Sequence, residues 1–75
     1  MKALIEYIAR SLVDSPTEVR VIEREGHNET HLELEVAAED MGRVIGRGGR
    51  VASAMRTLLR VAAVQRGERA TLDIR

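Results

Sequence analysis

Apolar residues recur at helical spacing at the start of the chain. Leu4, Ile5, Ile8, Ala9, Leu12 and Val13 form one stripe, which predicts an amphipathic helix over residues 2–13. It should end at Asp14-Ser15-Pro16, because proline disfavours helical angles in the residue before it. Val19 and Val21 then alternate with Arg20 and Ile22, predicting a strand from about Glu18 to Glu25. Gly26-His27-Asn28-Glu29 reads as a turn. Leu32, Leu34 and Val36 alternate with Glu33 and Glu35, which predicts a second strand with one wet face. Residues 39–45 have the pattern of a short helix with Met41, Val44 and Ile45 facing inward. A longer helix follows over residues 50–65, expected to bury Val51, Ala52, Met55, Leu58, Leu59 and Ala62 and to end at Gly67. Ala70, Leu72 and Ile74 alternate with Thr71 and Asp73 as a last strand. The order is α-β-β-α-α-β, with no repeat, low-complexity segment or linker.

Seventy-five residues make one domain. Apolar residues are 44 % of the chain, enough for a folded globule, yet Tyr7 is the only aromatic. The core must therefore come from Leu, Ile, Val, Met and Ala. A core of this size rarely supplies more than about 3–5 kcal/mol, so dimerisation would help. Without cysteine, disulfides and thiolate metal sites are excluded, which fits the cytosol. No apolar stretch approaches the roughly 20 residues that span a bilayer. Glu6 and Arg10 interrupt any signal-peptide core. A soluble cytoplasmic protein without membrane contact is expected.

The formal net charge is zero, but it is divided unevenly. Residues 1–41 carry four basic and ten acidic groups, a balance of −6; residues 42–75 carry eight arginines and two acids, a balance of +6. Such asymmetry suggests a basic zone on a polar molecule.

That zone holds the most informative segment, Arg43-Val44-Ile45-Gly46-Arg47-Gly48-Gly49-Arg50. Two apolar residues lead into a Gly-x-x-Gly turn among three arginines, directly before a helix. Glycine lets the chain reverse and lets a second chain approach the backbone. The helix start would add N–H donors and the positive end of the helix dipole, a combination suited to phosphate. Arg47 offers a guanidinium that is always charged, Gly48 adds no bulk, and Arg43 and Arg50 flank the turn. The glycines could instead cap one helix and begin the next, but a single capping glycine suffices for that.

The Val44-Ile45-Gly46-Arg47-Gly48-Gly49 run, set in an α-β-β-α-α-β order, resembles the type II KH domain. More narrowly, the chain resembles the small stand-alone bacterial KH proteins of the KhpA family. Tyr7-Ile8 to Ser11-Leu12-Val13-Asp14, Glu39-Asp40-Met41-Gly42-Arg43-Val44-Ile45-Gly46 and Arg56-Thr57-Leu58-Leu59 carry the likeness, which covers nearly all 75 residues. Ala38 departs from the proline that often precedes the short helix. The resemblance implies an α+β fold, a three-stranded sheet with helices on one face. It implies single-stranded RNA clamped at residues 43–50, namely Arg43, Val44, Ile45, Gly46, Arg47, Gly48, Gly49 and Arg50, beside an apolar groove floored in part by Ile45. It further implies an RNA chaperone or post-transcriptional regulator, a homodimer or a complex with a larger KhpB/Jag-type KH protein, and a link to cell shape and the cell wall.

Other chemistry finds little support. His27-Asn28-Glu29-Thr30-His31 lacks the glutamate that a zinc-protease helix needs directly after its first histidine, and it sits in a turn and strand. Val51 replaces the third glycine of a dinucleotide fingerprint. No nucleophile–base pair is evident, so no enzyme activity, metal or cofactor is expected. Glu33 and Glu35 read as solvated edge charges, Arg56 and Arg60 as plain surface, and Tyr7 as a packing residue with its hydroxyl at the surface. With one aromatic, stacking on bases should be weak and sequence specificity low. A dimerisation module and a single-stranded DNA binder are the rival readings.

Overall fold

A computed structural model describes residues 1–75. Helix α1 spans Lys2–Leu12 and buries Ile5 and Ala9. Val13 turns extended, and a short 3-10 turn over Pro16–Glu18, begun by its proline, leads into the sheet. Strand β1 (Arg20–Gly26) pairs antiparallel with β2 (Glu29–Glu35), from Arg20 opposite Glu35 to Gly26 opposite Glu29. The reversal rests on Asn28, whose φ of 55° is a left-handed angle that asparagine tolerates. Strand β3 (Arg69–Ile74) pairs parallel with the other edge of β2, with Leu32 opposite Leu72 and Leu34 opposite Ile74.

Parallel neighbours need a long crossover. Here it is the helical pair α2 (Met41–Ile45) and α3 (Arg50–Gln65), with the glycine turn between them. The sheet order β1-β2-β3 places β2 in the centre. Its side chains at Leu32 and Leu34 meet Val21 from β1 and Leu72 from β3 on the helical side. Ile5, Ala9, Val44, Met55 and Leu59 complete the same cluster. The result is the α+β arrangement that the pattern predicts, with no helix long and apolar enough to cross a membrane.

Four expectations change. The region predicted as one helix over 39–45 begins as a 3-10 turn, Ala38–Asp40, before α2. Helix α3 packs along Ala52, Met55, Leu59 and Ala63, so Ala63 rather than Ala62 is buried, and Leu58 is 49 % exposed. Leu58 lies about 100° around the helix from Leu59, on a flank the rest of the fold leaves largely open. Tyr7 points outward at 74 % exposure and lies outside the core cluster, against its expected packing role. Glu33 is buried rather than solvated, because β2 is the central strand and arginines from both sides close over it.

Candidate nucleic-acid interface

The five residues of α2 are too few to form a helix alone. Val44, fully buried, anchors α2 in the core and cannot itself touch a ligand. Ile45 is half-buried beside the turn. The Gly46 N–H donates to the Gly42 carbonyl at 2.9 Å and closes the helix. Gly46 then takes φ 75°, ψ 170°, a region essentially reserved for glycine. A Cβ there would overlap the Val51 side chain and stand 2.9 Å from the Val51 backbone nitrogen. The first glycine is therefore demanded twice, by backbone angle and by the packing of α3 against it.

Arg47–Gly49 form a single 3-10 turn, closed by the Gly49 N–H donating to the Gly46 carbonyl at 3.1 Å. Gly48 and Gly49 both have left-handed φ, 63° and 76°, with open space where a Cβ would be. Gly49 is the N-cap of α3 and contributes no side-chain cap, and no acidic residue occupies the first helical turn. The Arg50 N–H donates to the Arg47 carbonyl, and beyond it the helix start has no side-chain cap and keeps its positive dipole end free of an internal anion. Arg47, Gly48 and Arg50 are exposed. Neither Arg47 nor Arg50 enters any of the six ion pairs of the fold.

Arg43 differs from its neighbours in the motif. Its Nη2 lies 3.0 Å from Asp14 Oδ2 and its Nε 3.9 Å from Asp40 Oδ1. Sequence spacing places it with the turn; the tertiary fold gives it to the end of α1.

Further along α3 a cavity of about 240 Å³ opens between the helix and β3, lined by Arg56, Leu59, Arg60, Ala70, Thr71 and Leu72. Arg56 is six residues past Arg50, about 9 Å along the helix axis. It is half-buried, and its Nε donates to the Leu72 carbonyl at 3.2 Å. That bond fixes the guanidinium against an edge strand. The expectation of plain surface is thus corrected for Arg56, and Arg60 joins it on the cavity wall. Nothing local in the chain signals this, because it depends on β3 returning parallel to β2 beside α3.

On the opposite face of the sheet, Glu33 accepts a hydrogen bond from Arg24 Nε at 2.9 Å and pairs with Arg75. The Arg24 bond first, then the charges of Arg75 and Arg24, hold its carboxyl below the ordinary value of 4.5 against the opposing effect of burial. His31, Glu33 and Asp73 bring ligand atoms within 4.8 Å of one another. Both oxygens of Glu33 already face arginines, and His31 Nδ1 is 2.6 Å from Thr71 Oγ1, so the group serves as a charge-paired surface.

A Gly-x-x-Gly turn joining two helices, inside an α-β-β-α-α-β fold with an antiparallel and a parallel strand pair, defines a type II KH domain. Comparison with known proteins makes the assignment narrower. The family model described as "KhpA/KhpB, KH domain" matches residues 2–74. The RNA-binding protein KhpA of Clostridium acetobutylicum is 53 % identical over 74 residues, covering 99 % of both chains. That of Treponema pallidum is 51 % identical over 71 residues, covering 95 % of this chain and 89 % of its own. That of Aquifex aeolicus is 40 % identical over 74 residues, covering 99 % and 94 %. No solved structure matches. The chain belongs to the KhpA/KhpB family of KH domains.

Proposed function

We propose that this chain binds single-stranded RNA by clamping its sugar–phosphate backbone at residues 45–50. The observation that carries this reading is the start of α3, free of any side-chain cap or acid and reached through three positive-φ glycines interleaved with two arginines outside every ion pair. Relatives that match nearly the whole chain bear the name RNA-binding protein. A KH turn holds about four nucleotides, and bases beyond the clamp would reach the cavity walled by Arg56 and Arg60. No aromatic lines that cavity, so base discrimination is weak and affinity per domain modest. The site offers binding groups and no nucleophile, which makes the domain a binding module rather than an enzyme.

Leu58, Val61 and Val64 expose an apolar flank on the side of α3 away from the sheet. We take it as the surface by which two KH domains pair, either two copies of this chain or one copy and a larger KhpB/Jag-type protein. Pairing would raise RNA affinity through effective concentration without new contacts. We further propose, with support from the family resemblance, that this activity belongs to the cytoplasm, as an RNA chaperone or post-transcriptional regulator connected with cell shape and wall homeostasis.

The test is R47D/G48D. Aspartate tolerates left-handed φ better than most residues, and both side chains project into solvent, so the fold should persist. RNA affinity should collapse through repulsion of phosphate. A folded double variant that binds an RNA oligomer as the wild type does refutes the site. Matched RNA and DNA oligomers decide between the two polymers. Sedimentation with and without RNA shows whether a tight dimer ignores RNA, as the rival reading requires.

A further inference from the structure

Asp40 is 1 % exposed, yet it does not cap the helix it precedes. Its carboxylate reaches across to the end of α1. Oδ1 accepts the Asp14 backbone N–H and Oδ2 accepts that of Ser15, each at 3.1 Å. These are bonds between residues 25 and 26 positions apart. Arg43, one turn further along α2, adds the outer side of the cluster through Asp14 and Asp40. Two carboxylates thus surround one guanidinium, and no positive charge is left over for a phosphate.

We propose that Asp40 is a positioning residue for the RNA turn, and that Arg43 is spent on this tether rather than on phosphate. The inference rests on the RNA-binding reading of the turn. Helix α2 has five residues; Val44 and the partly buried Met41 hold it to the core, and Asp40 ties its start to the end of α1. Its other end is Gly46, the first residue of the turn. Releasing Asp40 leaves α2 held by apolar packing without its polar tie to the end of α1, so its start can shift, and the turn loses part of the preorganisation that makes its donors effective. Arg43 and Asp14 are both exposed, so their ion pair adds little to the restraint that Asp40 provides.

The proposal predicts an order of effects opposite to that of simple charge. If Arg43 held phosphate, R43Q would weaken binding and D40N, by removing an anion, would tighten it. If Asp40 positions the turn, D40N weakens binding more than R43Q does.

The experiment measures dissociation constants for a fluorescent single-stranded RNA oligomer of mixed sequence across a salt series. It uses wild type, D40N, R43Q and R47D/G48D, each below its unfolding midpoint. D40N should bind about tenfold more weakly, equivalent to about 1.4 kcal/mol, with an unchanged salt slope. R43Q should lose less, also at unchanged slope. A slope reduced by about 0.7 in R43Q marks a lost phosphate contact and overturns the assignment of Arg43. A folded D40N that binds as the wild type does makes Asp40 structural only and overturns the positioning role. D40E, which keeps the charge one methylene displaced, replaces D40N should the latter not fold. Failure of the underlying reading looks different: R47D/G48D would then bind normally, whereas failure of the tether alone leaves R47D/G48D defective and D40N unaffected.

Discussion

Replacing Gly46 by alanine should destabilise the domain far more than the same change two residues later. Two costs combine. The angles φ 75°, ψ 170° cost a non-glycine residue about 1–3 kcal/mol. The new Cβ would also overlap Val51 and lie 2.9 Å from its backbone nitrogen, which belongs to α3 and cannot rotate away. Overpacking of this kind costs about 1–3 kcal/mol. Lower entropy of the unfolded chain returns about 0.4–1 kcal/mol. The net loss is about 1–5.6 kcal/mol, in its upper range comparable to the whole stability a core this small supplies. Gly48 has the simple left-handed angles φ 63°, ψ 19° and nothing within 4 Å of a Cβ. Its penalty of about 1–2 kcal/mol is partly offset in the same way. Urea unfolding followed by circular dichroism gives both values. G48A should move the thermal midpoint by about 4–8 °C per kcal/mol lost, and G46A should be largely unfolded at ambient temperature. V51A should restore G46A only in part, since it removes the overlapping Cγ2 but keeps the Cβ and the backbone nitrogen, each 2.9 Å away. Equal stability of G46A and G48A would refute the claim that α3 packing dictates the first glycine.

Two further expectations concern other parts of the fold. Glu33 has a folded carboxyl value held below 4.5, so its stabilisation is complete above that value and lost as pH falls through the lower folded one. The urea midpoint of E33Q should accordingly lie below that of the wild type at neutral pH, with the gap narrowing as pH falls through the lowered folded value; a gap that does not depend on pH would refute the arginine clamp. The pairing proposed for the outer flank of α3 requires that the wild type sediment as a dimer and that V61D sediment as a monomer at unchanged thermal stability of the fold; a dimer that persists in V61D would place the pairing surface elsewhere.

Much of the fold was legible along the chain because periodicity reports local geometry. The α1 stripe, the alternation in β2 and β3 and the glycine turn are each set by contacts within a few residues. Composition and the Gly-x-x-Gly run, placed between two helical patterns, were enough to point to the family and to single out the turn proposed to hold phosphate. What remained hidden involves residues far apart in sequence. Spacing groups Arg43 with the turn, while the fold pairs it with Asp14, on the far side of the sheet in chain order. Glu33 looks like any exposed strand acid until β1 and β3 flank it. Arg56 looks like helix surface until the Leu72 carbonyl meets it.

The amino-acid pattern alone determined which segments are helix and strand and where the chain must reverse, the glycine turn included. Hydrogen bonds and hydrophobic spacing inside one element suffice for those. Only the tertiary structure decided which arginines stay unpaired, which acids are buried, and where a cavity opens. Those outcomes depend on strand order and on how α3 lies against β3, and no window of neighbouring residues encodes the distance between two elements brought together by folding.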